Sequence, residues 1–220
     1  GDERLGRGDV AESATQYHKA ALDSSEDNGT YATYTPEKLN IKGAKPHPTK
    51  LVESSAMSSV HAPDLHYVPN LDRDIITKGV LSDAQLEAVM YAGQAHETVL
   101  PNGNRKGFLI GDGTGVGKGR EISGIILDNF NSGRTKAVWV SVSSGLVNDA
   151  RRDWVDLGGK ESDIIDFSKE KGKKGGIGKF DKGIMFVSYD TLKSGKKGGE
   201  TNADIIADWF GKDFDGVIVF

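Results

Sequence analysis

A chain of 220 residues, 36% hydrophobic and with 29 glycines, is long enough for one folded domain with a buried core, or one domain carrying a long extension, and it is not a disordered composition. Twenty-eight basic against 32 acidic side chains leave −4, so any contact with a polynucleotide must come from a local patch and not from a polycation. Zero cysteines exclude a disulfide scaffold, a thiol nucleophile and a thiolate zinc site.

No run approaches the roughly 18 apolar residues of a membrane span, and no apolar signal stretch opens the chain. It begins with Gly1 and stops inside the apolar run Gly216-Val217-Ile218-Val219-Phe220, which reads as a fragment. All six prolines lie in the first 101 residues, whereas 22 of the 29 glycines come later, so two regimes are expected. In the first, Asp9 to Leu22 suits a short polar helix with Asp9 and Glu12 as a capping box. Asp23 to Leu71, broken by X-Pro steps, suits an extended arm laid on another surface, with one helical turn around Lys50 to Val60. Tyr31, Tyr34 and Tyr67 would anchor that arm by packing. Residues 1–80 are therefore assigned to helix and arm, and 81–220 to the main lobe.

From Leu81 onward the periodicity sharpens. Ser82 caps a predicted helix from Asp83 to about Glu97 with Leu86, Val89, Met90 and Gly93 on one face. Gly107 to Ile110 is a short apolar strand, and Lys118 to Asn131 a helix with Ile122, Ile125, Ile126 and Phe130 on one side. Lys136 to Val142 is a buried strand, followed by a helix from Gly145 to Val155 with Leu146, Ala150 and Trp154 inward. Ile164 to Phe167 and Ile184 to Ser188 are further strands, Asn202 to Phe210 a helix ended by Gly211, and Val217 to Phe220 a last strand. Alternating strands and helices imply an α/β fold with a mostly parallel sheet covered on both faces. Between these elements, residues 169 to 197 hold nine lysines against Glu170, Asp181 and Asp190, a +6 stretch expected to be a solvated loop or a phosphate-backbone contact.

The chemistry concentrates in Gly111-Asp112-Gly113-Thr114-Gly115-Val116-Gly117-Lys118-Gly119-Arg120, set between the apolar strand and the amphipathic helix. Glycines let successive amides turn inward around a phosphate, the helix N-terminus adds partial positive charge, and a lysine at the junction reaches the terminal phosphates. Lys118 stands at that junction. The glycines occupy odd positions only, which the two-then-three spacing of a dinucleotide fingerprint forbids, so a nucleoside triphosphate such as ATP is the expected ligand. The loop departs from the usual pattern at Asp112 and at Gly119, which has no hydroxyl for Mg2+; the ion would keep an extra water instead. Gly176-Ile177-Gly178-Lys179 is a decoy, because no apolar strand directly precedes it. The five histidines (His18, His47, His61, His66, His96) lack metal-site spacing and are expected to be surface or satisfied polar residues.

On these residues the chain resembles the strawberry notch family, whose helicase-like ATPase domain carries a Gly-Asp-Gly-x-Gly-Val-Gly-Lys-Gly-Arg loop. The resemblance extends through Gly124-Ile125-Ile126, Trp139 to Ser144 and Asp149-Ala150-Arg151-Arg152-Asp153. It also takes in Leu81 to Gln85 and the Pro46-His47-Pro48-Thr49-Lys50 region, there with a likeness to bacterial and phage-type members. It implies a RecA-like three-layer P-loop NTPase lobe of the superfamily 2 type, with ATP bound against a second lobe absent from this chain.

The resemblance also implies roles. Gln85 matches a glutamine that reads the adenine edge, an amide being able to donate and accept at once; the same residue completes a capping box with Ser82, and both readings stay open. Ser143 and Ser144, and Ser188 with Tyr189, resemble segments that touch a nucleic-acid backbone, DNA favoured over RNA, although Ser143 and Ser144 equally suit a helix cap. Arg151 and Arg152 are expected to be solvated or paired. The strand ending at Phe220 resembles the one that delivers an acidic metal-binding motif, so this fragment alone is expected to bind ATP and not hydrolyse it, with Lys118 as the catalytic lysine of the whole protein. The implied function is an ATP hydrolase that moves on or remodels nucleic acid, without membrane association, cytoplasmic in a bacterial or phage setting and nuclear in a eukaryotic one. The alternative is a nucleotide-binding regulatory or scaffold module without strand movement.

Overall fold

The structure is a computed structural model that describes residues 4–5, 31–34, 36, 39, 41–54, 62–111, 117–195 and 198–220. The chain divides into two compact units, Gly1–Ile125 and Ile126–Phe220. The expected helix from Asp9 to Leu22 lies outside the described residues.

In the first unit β1 (Tyr31–Tyr34) and β2 (Leu51–Ser54) form an antiparallel pair with Tyr31 opposite Ser54 and Tyr34 opposite Leu51. Over Leu51–Ser54 this corrects the helical turn expected around Lys50 to Val60; residues 55–60 of that expected turn lie outside the described residues. Main-chain pairing with a neighbouring strand outweighs the local helical spacing here. The short helix α1 (Arg73–Thr77) buries Ile75 and Ile76. Helix α2 (Asp83–Glu97) starts where the sequence places it, because Ser82 and Gln85 form a reciprocal capping box, and it buries Leu86, Val89 and Met90. Residues 62–70 carry no helix or strand and run along α2 as the arm reading expects. Gln94 accepts from the His66 amide at 2.9 Å and donates to the Asp64 carbonyl at 2.9 Å, and the Tyr91 hydroxyl donates to the Pro63 carbonyl at 2.8 Å. Tyr34 donates to Glu87 Oε1. Tyr67 lies so close to Gly93 that a Cβ there would come within 2.1 Å of its ring, so glycine is a packing requirement of α2.

Residues 107–111 are not a strand. Just before them the chain folds on itself through a Val99–Arg105 bridge and a bond from the Lys106 amide to the Thr98 carbonyl at 2.8 Å. The following residues meet no ladder partner among the described residues, and Leu109 is 87% exposed. Apolar composition supplies a face for a strand but not the neighbour whose hydrogen bonds make one. Helix α3 (Lys118–Asn131) has the expected bounds; Ile125 and Ile126 are buried, Ile122 and Phe130 partly so. In the first unit its Gly124 packs on Val89 and Leu81, where a Cβ would stand 2.8 Å from Val89 Cγ2.

The second unit is built on four parallel strands, β3 (Lys136–Ser141), β4 (Ile164–Asp166), β5 (Gly183–Ser188) and β6 (Val217–Val219), in the order β4-β5-β3-β6. Parallel strands covered on both sides need continuous apolar runs, and every residue of β5 is buried. One face joins Val138, Val140, Ile165, Met185 and Val187 to Phe167, Ile177, Ile206 and Trp209. The opposite face carries Trp139 against Phe186, with ring centroids 6.0 Å apart.

Helix α4 (Val147–Asp156) follows a 3₁₀ turn at Ser144–Leu146. That turn shifts the helical phase, so Val147, Ala150 and Trp154 are buried while Leu146, expected inward, is 40% exposed. Phe167 leaves β4 to open the turn α5 (Phe167–Glu170). Within the lysine-glycine stretch beyond it, Gly176–Lys179 forms a 3₁₀ turn, and Glu170 accepts from Lys173 at 2.9 Å and Lys179 at 2.7 Å, while most of the described residues around them are exposed. Helix α6 (Tyr189–Lys193) is capped by Ser188. Helix α7 (Asn202–Phe210) has its own capping box at Thr201 and Asp204 and ends at Gly211, φ +77°.

Candidate functional site

Gly111 and Gly117 flank the glycine loop; Asp112, Gly113, Thr114, Gly115 and Val116 lie outside the described residues. Gly117 turns the chain into α3. Its φ of +81° is a left-handed conformation that side-chain-bearing residues adopt only at a cost. Its carbonyl accepts from the Arg120 amide at 3.0 Å, from the Glu121 amide at 3.4 Å and from Gln85 Nε2 at 3.4 Å. Lys118 is the first residue of α3 and is exposed, so its ammonium stands at the positive end of a 14-residue helix. Gly119 and Arg120 are partly buried, and Arg120 Nη1 donates to the Val80 carbonyl at 2.8 Å, tying the first turn of α3 to the segment before α2. Glu121 is fully buried.

Gln85 is 5% exposed and its amide is committed in both directions. Oε1 accepts from the Ser82 amide at 3.0 Å, while Nε2 reaches Gly117. The capping box allowed by the sequence is therefore formed. The resemblance places Gln85 at the nucleotide site, but its bond to Gly117, 32 residues away, is not written in any local pattern.

These groups fit an anionic ligand carrying several phosphates: an ammonium, a helix N-terminus and a left-handed glycine that turns the chain into that helix. For Mg2+ the described residues offer less. Gly119 has no hydroxyl, and no group of three or more His, Asp or Glu among the described residues is placed to hold a metal. Phosphate oxygens and water are the ligands such an ion would use here.

The other candidates gather at one end of the sheet. Ser141 of β3 lies opposite Ser188 of β5, so Ser143 and Ser144, and Ser188 and Tyr189, follow the carboxyl ends of neighbouring strands. Ligands of open α/β sheets bind at that end. Ser143 Oγ accepts from the Gly145 amide at 3.2 Å, a cap; Ser144 is exposed. Ser188 is buried, its Oγ accepting from the Thr191 amide at 3.2 Å. Tyr189 is partly open, with its ring 6.1 Å from that of Phe220. Arg152 pairs with Asp149 at 3.3 Å, and Arg151 donates to Asn148 at 3.2 Å, as expected of helix-surface arginines. Lys179 of the decoy sequence is held by Glu170. A separate cavity of about 540 Å³ opens beside β4, lined by Arg151, Glu161, Asp166, Glu170 and Phe180 among others, and it holds none of the predicted site residues.

Residues 46–220 match the family model described as P-loop containing NTP hydrolase pore-1. Among curated proteins, the chain is 49% identical over 199 residues to protein strawberry notch homolog 1 of Gallus gallus, covering 87% of this chain and 16% of that protein. It is 48% identical to the Homo sapiens protein of the same name, covering 87% and 14%. It is 36% identical over 209 residues to protein FORGETTER 1 of Arabidopsis thaliana, covering 90% and 16%. The chain thus spans only 14 to 16% of the length of these relatives. They are animal and plant proteins, and they support the strawberry notch likeness without the bacterial or phage-type element. No solved structure gives a significant match.

Proposed function

The chain belongs to the P-loop containing NTP hydrolase pore-1 family, and from that premise we propose that it is the ATP-binding first lobe of a strawberry-notch-type, helicase-like ATPase that couples hydrolysis to movement on, or remodelling of, nucleic acid. The observation that carries the reading is the junction at Gly117 and Lys118, where a left-handed glycine delivers an exposed ammonium to the start of α3.

Bound ATP supplies a γ-phosphoryl group for transfer to water. Lys118 places its charge where negative charge gathers on the terminal phosphates, and the first amides of α3 add the field of the helix end. Gly117 keeps the main chain free of a Cβ at the turn. Gln85 holds the carbonyl of Gly117 away from the phosphates, and a side-chain amide, able to donate and accept at once, suits the edge of an adenine ring. Ser143, Ser144, Ser188 and Tyr189 form the polynucleotide face, with DNA as the substrate, which in a eukaryotic cell points to the nucleus.

The test uses the full-length protein. Steady-state ATP hydrolysis is expected to rise on adding single- or double-stranded DNA and to fall to background in Lys118→Ala. ATP binding that depends on Lys118 without DNA-stimulated hydrolysis would instead support a nucleotide-sensing regulatory module. Equal ATP affinity of the wild type and Lys118→Ala would overturn the assignment.

A further inference from the structure

Among the described residues β4 pairs only with β5 and stands last in the sheet order, so one row of its main-chain N–H and C=O groups faces away from the sheet. The cavity of about 540 Å³ opens along that edge; all three residues of the strand line it, with Arg151 of α4 and with Phe180. Ile165 belongs to the apolar cluster with Met185 and Phe167, so Asp166, the next residue, lies on the other face of the strand. Three carboxylates also border the cavity, and they differ in what holds them. Glu170 accepts from Lys173 and Lys179, and Glu161 is open to solvent. Asp166 is 8% exposed, caps no helix, and its carboxylate makes no hydrogen bond or ion pair among the described residues. A carboxylate withdrawn that far from water is costly to keep without a partner.

We propose that this cavity is a docking site for an extended segment of a partner protein, which adds to the open edge of β4 and delivers one arginine side chain to Asp166. The main chain of β4 supplies backbone hydrogen bonds to the added strand, and the pocket beside it supplies the specificity. Three residues of strand span about 10 Å, which sets the length of the paired segment. The planar fork of a guanidinium matches the two oxygens of Asp166 in a bidentate pair, while Ile164 and Phe180 offer apolar surface to its methylene stem. Arg151 selects against other cations. It donates to Asn148 at 3.2 Å, and its charge in the same wall opposes a ligand with many positive groups, such as a polyamine. Its other N–H groups suit a carbonyl of the incoming chain.

The experiment measures binding of a fluorescein-labelled, end-blocked peptide Thr-Val-Arg-Val-Thr to the full chain by anisotropy, beside the same peptide with citrulline in place of arginine. Citrulline keeps the shape of the side chain and removes its charge. The arginine peptide is expected to bind, and either citrulline or Asp166→Asn is expected to weaken it about 10- to 100-fold, the range of hydrogen bonds to a charged partner. Bound peptide should slow amide hydrogen exchange at residues 164–166. The melting temperature of Asp166→Asn without peptide should equal or exceed that of the wild type, because a carboxylate with no partner in the fold adds nothing to its stability. A lower melting temperature would make Asp166 a structural residue and overturn the proposal. Failure of the arginine peptide to bind overturns it too, as does equal binding of the citrulline peptide or equal binding by Asp166→Asn. Competition by N-acetylarginine amide or spermine at the concentration of unlabelled peptide that suffices would show a site for free cations, and strand addition would then be wrong.

Discussion

The side-chain amide of Gln85 donates to the main-chain carbonyl of Gly117 at 3.4 Å, and a Cβ on Gly117 would stand 2.5 Å from that same nitrogen. Gly117 is therefore constrained twice, by its φ of +81° and by the closeness of Gln85. Gly117→Ala is expected to lose about 1–2 kcal/mol of stability from the backbone term alone, read as a lower urea midpoint. ATP binding should fall with it, because the alanine methyl must push Gln85 off the carbonyl. Gly103, with a similar φ of +81° but nothing within 4 Å of its would-be Cβ, is the control. Gly103→Ala should show a comparable backbone penalty and unchanged ATP affinity.

A second pair of glycines separates conformation from space. Gly158 has φ +96° and open surroundings, whereas a Cβ on Gly159 would lie 2.1 Å from Nε1 of Trp154. That indole is 1% exposed and donates to Asp163 Oδ2 at 3.0 Å. Gly158→Ala is expected to cost about 1 kcal/mol through strain alone. Gly159→Ala should cost about 2–3 kcal/mol, because it drives the ring from a filled site and breaks its hydrogen bond to Asp163. Equal losses in denaturant titrations of the two variants would refute the packing argument.

Elements whose limits are set by near neighbours were readable from the residues. Ser82 and Gln85 mark the start of α2, Gly211 marks the end of α7, and the bounds of α3 follow its apolar spacing. Features that depend on a distant partner were not. Gly107 to Ile110 has the composition of a strand without a neighbour, and Leu51–Ser54 became one because Tyr31–Tyr34 lies beside it. In the candidate site, Lys118 at a helix start was legible from glycine spacing. The contacts of Gln85 with Gly117 and of His47 with Ser82 span 32 and 35 residues, and no local pattern encodes them.

The lysine-rich stretch has an electrostatic consequence. Hydrogen bonds from Lys179 first, and then from Lys173, hold the Glu170 carboxyl below its ordinary value, with burial opposing them weakly. A lowered folded-state value means the charged form is favoured by folding. The stabilisation is therefore complete above the unfolded value near 4.5 and disappears as pH falls through the lower folded one. Melting temperatures of the wild type should decline on acidification below about pH 4.5 more steeply than those of Glu170→Gln. Above about pH 6 the two curves should run parallel. Identical acid limbs would mean that Glu170 is not the group responsible.

The most demanding polar arrangement in the second unit belongs to Asn202, 3% exposed at the start of α7. Its Nδ2 donates to the Thr191 carbonyl at 2.7 Å and to Ser194 Oγ at 3.0 Å, while its Oδ1 accepts from Lys171 Nζ. One side chain thus satisfies the C-terminal end of α6 and an ammonium arriving from beyond α5. Asn202→Ala removes all of these bonds at a buried position and is expected to cost about 2–3 kcal/mol. Asn202→Asp is the sharper probe, because it preserves shape and the Lys171 contact but sets a carboxylate oxygen against the Thr191 carbonyl. If donation to Thr191 is what matters, Asp should be nearly as damaging as Ala in urea titrations. If the Lys171 contact dominates, Asp should approach the wild-type midpoint.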